Sequence, residues 1–477
     1  MPVFNRKTSG NAPRRHVTET CFLRLRAMLN TLYLPEIREM LAESDEKGLH
    51  EFCTALHPAK TADFMEGLTV AEAWDVLQYA DNGTRSELFC FLLPERQTEI
   101  IEQSDRRLIA LLVGDLPADE RVDILNRVDP AVVAEILPLV PQEERRDILR
   151  LGAYPEGTAG SVMTSEIAKL PEAMKVGEAI AELARQASDL ETIYYIYIVD
   201  DDGHLHGVIT CRQLISNASK RERQLSEIME RAVVSVNATD DQEAVADKVA
   251  RYDLLAIPVV DDQQHLLGII THDDVIDVVR EEAVEDAHRQ AAVEPLPEGY
   301  LDTGLVRLFW NRGMWLVILF VGSLFTAFAL DKYDADLEKV SWLVIFIPMV
   351  ISTGGNSGSQ SAALIITAMT LGEISPRDWL RVVRRELIMG VSLGGFLGVI
   401  GFFIAYGLLG VASDSLVVPI TILLVVICST LVGSLLPLLF RRLGLDPALM
   451  SNPFVAGIID IVGILIYMQV ALHMLEG

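Results

Sequence analysis

Five long apolar runs in the second part of the sequence constrain its fold more than any other feature. They cover residues 314–330, 342–371, 387–410, 416–440 and 453–474. A helix needs about 17 to 25 mostly apolar residues to cross a bilayer, so each run is long enough for one span. The sequence therefore predicts an α-helical membrane domain with five transmembrane helices over residues 313–477.

The charge of the chain is concentrated before these runs. The formal net charge is −27, yet residues 301–477 hold 10 Lys+Arg and 12 Asp+Glu, so nearly all the excess acid lies in the first 300 residues. Such an acidic surface argues against nucleic acid as a partner and is compatible with cation binding. The five cysteines are scattered without a CxxC pair, which indicates neither a disulfide framework nor a zinc site.

Arginines in the connections between the runs predict the orientation in the membrane. Arg307 and Arg312 precede the first run, and Arg441 and Arg442 lie between the fourth and fifth. Between the second and third runs lie Arg377, Arg381, Arg384 and Arg385. With five spans these connections share one side, which the positive-inside rule makes cytoplasmic. We expect a multi-pass protein of the cell (inner) membrane, with its N-terminal half in the cytoplasm and its C-terminus outside.

A basic polar tail over residues 1–19, without an apolar segment typical of a secretory signal, precedes a helical domain predicted over residues 20–155. The phrases "LPERQTEII" (93–101), "LPADERVDIL" (116–125) and "VPQEERRDIL" (140–149) recur at steps of 23 and 24 residues. Each places a proline at a plausible first helical position with acidic residues after it. The repeat predicts an all-α helical superhelix, with unrelated amphipathic helices as the alternative.

Two segments that share one plan follow, over residues 156–222 and 223–277. Each has a helix, a β-rich run, a turn ("DDDGH" or "DDQQH"), a second β-rich run ending in Gly-x-x-Thr, and a closing helix. This α/β tandem resembles a pair of cystathionine-β-synthase-type (CBS) domains, modules that sense nucleotides or ions. Gly268, Thr271 and Asp274 match the Gly-x-x-Thr-x-x-Asp pattern of nucleotide-binding members, whereas the first copy has Gln213 at the acidic position. The resemblance implies an ATP contact at Thr271 and Asp274; a purely structural strand-to-helix junction is the alternative.

The second apolar run is interrupted at its centre by the polar sequence "STGGNSGSQS". Unpaired amides and hydroxyls are costly in hydrocarbon, so this stretch is expected to face water or another helix. Gly354 and Gly355 allow close helix approach or unwinding, while Asn356 and Gln360 offer oxygen and amide groups. Such surfaces suit hard cations, Mg²⁺ above all. Tight helix packing without a solute is the alternative.

The last apolar run carries an aspartate. If Asp446 is the N-cap and Pro447 the first helical residue, Asp460 follows about 20 Å along the helix, near mid-bilayer. A carboxylate there costs on the order of 3 kcal/mol, so it is expected to face an aqueous cavity or a cation; the alternative is a protonated aspartate bonded between helices. A divalent cation would be neutralised by two carboxylates, which favours a two-fold homodimer.

The order of these parts resembles the MgtE family of Mg²⁺ channels or transporters, as do "PMVISTGGNSGSQSAA", "DPALMSNPF" and "GIIDIVG". The resemblance implies a homodimeric path with Asp460 as the main ion contact, Mg²⁺ as the transported ion, and Mn²⁺ or Co²⁺ as surrogates. Channel-like and ion-coupled passage both remain open. The rivals are a membrane-anchored CBS signalling protein without transport and a CBS-regulated enzyme, for which no catalytic set is present.

Acidic residues crowd the segment "THDDVIDVVREEAVEDAHRQ" (271–290), where like charges three and four residues apart repel on a helix. A solvated face is one explanation. The family resemblance implies the other, a regulatory Mg²⁺ sensor formed by Asp241, Glu243, Asp253, Asp274, Asp277, Glu282, Glu285 and Asp286. A connecting (plug) helix and linker over residues 278–312 is then expected to carry the state of the sensor to the first span.

Overall fold

The computed structural model describes residues 33–187, 190–296, 300, 303–449 and 452–475. The predicted tail over residues 1–19 and the first part of the predicted helical domain lie outside these residues. The chain forms two compact units that divide after Val278. A helical domain and two α/β modules make up the first unit, and long apolar helices dominate the second. The predicted multidomain fold class is therefore confirmed.

Short helices build the first domain. Side-chain caps fix several of their starts: the carboxylates of Asp45, Asp81 and Asp105 each accept a backbone N–H from the first turn of the helix that follows. One continuous apolar core runs from Leu34 to Ile148. The helices are α1 (Leu34–Glu43), α2 (Glu46–Thr54), α3 (Pro58–Met65), α4 (Val70–Gln78), α5 (Asn82–Cys90), α6 (Pro94–Gln103), α7 (Arg106–Asp115), α8 (Ala118–Arg127), α9 (Pro130–Ile136) and α10 (Gln142–Leu151).

Two of the three repeated phrases form equivalent junctions between helices. Gln97 donates to the carbonyl oxygen of Phe89, and Arg121 donates to that of Val113, in each case eight residues earlier. Each of these side chains closes the end of a preceding helix, whose last carbonyls have no partner within the helix. The repeat therefore encodes a recurring helix-to-helix joint.

The prolines of the repeat do not all occupy the predicted position. Pro94 is the first residue of α6, but Pro117 and Pro141 are the N-cap residues of α8 and α10. Both have an extended backbone, with ψ of 150° and 155°, so the helix begins one residue later than predicted.

The two α/β modules repeat one topology. The first contains β1 (Ile167–Pro171), α11 (Val176–Gln186), β2 (Thr192–Val199), β3 (Leu205–Thr210) and α12 (Cys211–Ser216). The second contains β4 (Val236–Asn237), α13 (Gln242–Tyr252), β5 (Ala256–Val260), β6 (Leu266–Thr271) and α14 (His272–Gln290). Both predicted hairpins are present, β2 with β3 and β5 with β6. The parallel edge strands β1 and β4 were not predicted, because they are short and pair with strands distant in sequence.

Helix α14 runs without a break from His272 to Gln290. It therefore crosses the point at residue 278 where the connecting helix was expected to begin. The division between the two units falls inside this helix. One helix thus belongs to both units.

The second unit contains α15 (Leu305–Asp331), α16 (Asp334–Lys339), α17 (Leu343–Thr370), α18 (Trp379–Leu409), α19 (Ala412–Ser415), α20 (Val417–Arg442) and α21 (Asn452–Leu475). Among the described residues, four helical segments are long and apolar enough to cross a membrane: Leu305–Asp331, Pro376–Leu409, Ala412–Arg442 and Asn452–Leu475. The fifth long helix, α17, has 28 residues but carries the polar sequence at its centre.

Glycines bring α18 and α20 into close contact. A Cβ atom at Gly390, Gly394 or Gly398 would lie 2.8 to 3.1 Å from the nearest atom of α20. Small residues at such positions let membrane helices approach closely and gain van der Waals contact. The pair α18–α20 thus forms a closely packed part of the membrane domain.

Candidate cation path and sensor sites

Asp460 lies on an open face of α21. It is half-buried, and among the described residues no group donates a hydrogen bond to its carboxylate. A Cβ atom at Gly457, about one turn earlier, would have no neighbour within 4 Å. The alternative of an aspartate hydrogen-bonded between helices is therefore not found in the described part of the chain. The carboxylate remains available to a solute.

The position of Asp460 along the helix differs from the prediction. Asp446 accepts a hydrogen bond from the backbone N–H of Ala448 at 2.8 Å and begins only the 3₁₀ turn Pro447–Leu449. Helix α21 begins later, at Asn452. Asp460 is then roughly 12 Å along the helix instead of 20 Å. The carboxylate therefore lies about 5 Å before the middle of this 24-residue helix.

The glycines of the polar sequence serve close helix packing. A Cβ atom at Gly354 would lie 2.6 Å from Cγ1 of Val425, and one at Gly355 would lie 3.5 Å from Oδ1 of Asp460. Helix α17 is continuous through both glycines, so the alternative of an unwound helix is wrong. Gly355 lets the carboxylate of Asp460 approach the backbone of α17.

Asn356 and Gln360 lie on an exposed stripe of α17 together with Ser352. The three are spaced four residues apart, and the Asn356 side chain donates to the Ser352 hydroxyl at 3.4 Å. In a membrane helix such a polar stripe needs water or a polar partner. The stripe could therefore line an aqueous path.

Other polar groups of α17 hold helices together. The Ser359 hydroxyl donates to the backbone oxygen of Asn452, and the Ser361 hydroxyl donates to Oε2 of Glu386 at 2.8 Å. The backbone oxygen of Glu386 also accepts a hydrogen bond from Thr430. Glu386 was not predicted as a functional residue, because its carboxylate follows two arginines and resembles an interfacial residue. Part of the polar sequence is thus structural.

In the first unit, Asp274 lies in a group of carboxylates that comes mostly from other elements. Burial, and then repulsion from Asp119, raises the pKa of Asp274 to about 7. Burial also raises the pKa of Asp119 to about 6 and that of Glu120 to about 7. Glu191 lies within electrostatic reach of both Asp119 and Asp274. Oδ1 of Asp119 is buried without a hydrogen-bond partner in the described part of the chain.

Asp119, Glu120 and Glu191 were not predicted as sensor residues. The first two look like ordinary first-turn acids of α8, where the helix dipole favours negative charge. Apolar contacts place α8 against the second α/β module, since Ala118 and Val122 share a core with its strands. The only signal in the sequence is the excess of acid itself.

A second acidic group lies in the second unit, near the end of α14. Arg289 forms ion pairs with Glu285 and with Asp446, the latter at 2.5 Å. The Thr370 hydroxyl donates to Asp286 at 3.4 Å. Burial, followed by repulsion from Asp446, raises the pKa of Asp286, and burial also raises that of Glu285. The structure therefore joins the end of α14 to α17 and to the connection before α21.

The remaining predicted sensor residues are spread out. Asp241 caps α13 by accepting the backbone N–H of Glu243 at 2.9 Å, and Asp253 ends the same helix with a positive φ of 51°. The two aspartates are roughly 18 Å apart along the helix, so they cannot share one ion. Asp277 and Glu282 lie on α14 between its two acidic groups.

The predicted nucleotide residues form a strand-to-helix junction. Asp274 accepts hydrogen bonds from the backbone N–H and the hydroxyl of Thr271. In the first module, Gln213 accepts the same two bonds from Thr210. The amide of Gln213 and the carboxylate of Asp274 accept the same two hydrogen bonds, so helix capping alone explains the Gly-x-x-Thr-x-x-Asp pattern.

A group of metal-ligating residue types, Asp200, Asp202 and His204, occupies the turn between β2 and β3. The carboxylate of Asp200 already accepts the backbone N–H groups of Asp202 and His204 and a contact from the His204 ring. These contacts explain the group as a turn-stabilising network.

Comparison with known proteins identifies the family. Residues 347–470 match a family described as a divalent cation transporter, residues 56–157 match the MgtE intracellular N domain, and residues 159–220 and 225–281 match the CBS domain. The chain is 38% identical over 447 residues to the magnesium transporter MgtE of Thermus thermophilus, covering 92% of this chain and 98% of that protein. The chain belongs to the MgtE family.

Two further likenesses support membership of the MgtE family. The magnesium transporter MgtE of Enterococcus faecalis is 35% identical over 324 residues, 67% of this chain and 69% of that protein. A crystal structure of the soluble part of a magnesium transporter is 33% identical and covers 53% of this chain and 99% of that one, with a TM-score of 0.50. MgtE proteins are ion transporters, so the prediction that the chain is not an enzyme is confirmed.

Proposed function

We propose that the chain passes Mg²⁺ across the cell membrane, with Asp460 as the main protein contact of the ion. The open, unpaired carboxylate of Asp460 carries this proposal. Membership of the MgtE family and relatives named magnesium transporters support it. Mg²⁺ keeps several of its waters and binds one or two carboxylates, which suits a hydrated path with few charged groups.

The path is formed by two copies of the chain. A single protomer exposes the polar stripe of α17 and the open face of α21, which are unsuited to lipid. A two-fold axis beside these surfaces would bring one Asp460 from each chain together, and two carboxylates balance the charge of a divalent cation. Asn356, Gln360 and the backbone near Gly354 and Gly355 would then contact the waters of the ion.

Flux into vesicles tests the transport proposal. Purified protein in liposomes that contain a Mg²⁺-sensitive dye should admit Mg²⁺ faster than empty liposomes, and a panel of Mn²⁺, Co²⁺ and Ca²⁺ would rank the ions. Flux equal to that of empty liposomes would instead favour the membrane-anchored signalling protein. Dependence on a proton or Na⁺ gradient would distinguish coupled transport from a channel.

Two acidic groups on α14 act as sensors of Mg²⁺ on their own side of the membrane. The group around Asp119 and Asp274 fits a cation, because it holds crowded carboxylates and a buried carboxylate oxygen without a partner. The group around Glu285 and Asp286 is already partly neutralised by Arg289. A cation that binds only the closed arrangement stabilises that state by its differential affinity. Residues Asp241, Glu243, Asp253, Asp277 and Glu282 complete the proposed sensor.

Sidedness and ATP binding are separate parts of the proposal. The soluble half lies in the cytoplasm because the arginine-rich connections share its side, with the C-terminus outside. Protease added to intact right-side-out cells should therefore leave residues 33–278 uncut. ATP binding at Thr271 and Asp274 stays a prediction, which equilibrium dialysis of labelled ATP against wild-type protein and Thr271→Ala would test.

A further inference from the structure

An apolar groove opens on α20, in the part of the helix that leads to its C-terminus. Its volume is about 350 Å³. One stripe of α20, the first residue of α18 and the turn just before it supply its walls: Pro376, Trp379, Val432, Leu435, Leu436, Leu438, Leu439 and Arg442. It contains no residue of the proposed cation path.

The chemistry of the groove is asymmetric. Every lining residue is apolar except Arg442, which lies at one end. Arg442 is exposed, and the part of the chain that the structure describes offers it no carboxylate partner. The groove has no carboxylate of its own, so it does not suit a cation. Its occupant needs an apolar body with an anionic group at one end.

The dimensions of the groove match one leaflet of a bilayer. From Val432 to Arg442 the helix rises roughly 15 Å, which is about half of the 30 Å hydrocarbon core. Trp379 lies at the arginine end of the groove and is 50% exposed. Tryptophan and arginine are typical of the level of lipid headgroups. The groove therefore extends from the headgroup region into the hydrocarbon of one leaflet.

We propose that the groove binds an anionic glycerophospholipid, with one acyl chain along the α20 stripe and the phosphate at Arg442. The apolar walls recognise the chain through its buried surface, and the guanidinium recognises the phosphate through charge-assisted hydrogen bonds. A zwitterionic lipid of the same chain length fills the same walls, but its ammonium group offsets the attraction. This site does not depend on which ion the protein transports.

Native mass spectrometry of the full-length protein in detergent tests the proposal with phosphatidylglycerol and phosphatidylcholine as probes. Wild-type protein should retain phosphatidylglycerol more tightly than phosphatidylcholine. Arg442→Gln should lower the affinity for phosphatidylglycerol by about tenfold, the loss expected for one charged contact, and leave phosphatidylcholine unchanged. The matched control Arg441→Gln removes a neighbouring exposed arginine outside the groove lining and should behave as wild type.

A second pair of variants tests the apolar part of the groove. Leu435→Trp fills it and should reduce the binding of both lipids, whereas Leu424→Trp, at an exposed position of α20 outside the groove, should not. If Leu435→Trp does not fold, Leu439→Trp fills the groove from a position that is 49% exposed. Equal losses in Arg441→Gln and Arg442→Gln, or unchanged binding in the filled variants, would overturn the proposal. If filling the groove lowers the mass of the oligomer, the groove instead binds a second copy of the chain.

Discussion

At the scale of single residues, Asp460 differs from Glu386 and Asp446 in having no partner among the described residues. Glu386 accepts a hydroxyl from Ser361, and Asp446 pairs with Arg289. A desolvated carboxylate without a partner is costly, and no structural contact explains its presence. We therefore expect the function of Asp460 to be contact with a solute.

The variant Asp460→Asn tests this role. It keeps the size of the side chain and removes only the charge, so Mg²⁺ flux in proteoliposomes should fall to the level of empty liposomes while the protein remains folded. Asp414→Asn is the matched control, because Asp414 lies in the short helix α19 away from the proposed path and contacts Ser413. Wild-type flux from Asp460→Asn would refute the assignment of the ion contact.

Gly433 offers a test of the close packing inside the membrane domain. A Cβ atom there would lie 2.2 Å from the backbone oxygen of Gly358, which cannot move aside cheaply. Gly433→Ala should destabilise the membrane domain by about 1–3 kcal/mol, the usual cost of overpacking. Gly395→Ala, where the added methyl group meets no atom within 4 Å, is the control. A thermal melt in detergent with equal midpoints for the two variants would contradict this packing.

At the scale of elements, helix α14 carries two acidic groups that no single ion can bridge. Asp274 and Asp286 are twelve residues apart, or roughly 18 Å along the helix. The first lies among carboxylates of α8, and the second lies beside Asp446. In the proposed sensor, several ions would therefore share the regulatory effect, each with a modest contribution.

This sharing leads to a prediction about gating. Changing Asp274, Asp277, Glu282, Glu285 and Asp286 together to Asn or Gln should leave the pathway open at internal Mg²⁺ concentrations that close the wild type. Loss of the sites removes the differential affinity that favours the closed state. Each single change should shift the closing concentration only modestly. The measurement is Mg²⁺ flux as a function of the internal Mg²⁺ concentration. If the multiple variant closes at the wild-type concentration, the acidic face of α14 is only solvated and has no regulatory role.

The elements also show what the sequence determines. The membrane helices follow from the length of the apolar runs, and both hairpins follow from β-rich runs joined by turn residues; these are local signals. The proximity of Asp119 to Asp274 was not predicted, because it depends on how α8 packs against the second module. The start of α21 was predicted too early for a local reason: aspartate followed by proline is a good start for both a 3₁₀ turn and an α-helix.

At the scale of the whole molecule, the net charge of −27 is a property of the soluble half. Self-repulsion of this size opposes a compact state, and repulsion between neighbouring carboxylates adds to burial in raising the pKa values of Asp119, Glu120 and Asp274. Protons and Mg²⁺ can both relieve it. The two ligands should therefore compete for the same carboxylates.

This competition predicts how pH affects the stability of a fragment of residues 1–295. The folded pKa values are about 6 for Asp119 and about 7 for Glu120 and Asp274, above those of unfolded chains, so the folded state binds more protons. Proton binding by these groups therefore contributes its full stabilisation only below about pH 4. The free energy of unfolding falls as the pH rises from there toward 7. Without Mg²⁺, the melting temperature at pH 8 should be several degrees below that at pH 6.

Saturating Mg²⁺ should raise the melting temperature at pH 8 more than at pH 6, because the ion binds the ionised carboxylates and must displace protons at the lower pH. Na⁺ at equal ionic strength is the control for general screening. In Asp119→Asn/Asp274→Asn, which removes two of the crowded charges, both the pH dependence and the Mg²⁺ effect should shrink. A melting temperature that rises from pH 6 to pH 8 without Mg²⁺, or equal effects of Mg²⁺ and Na⁺, would show that this group is not a sensor.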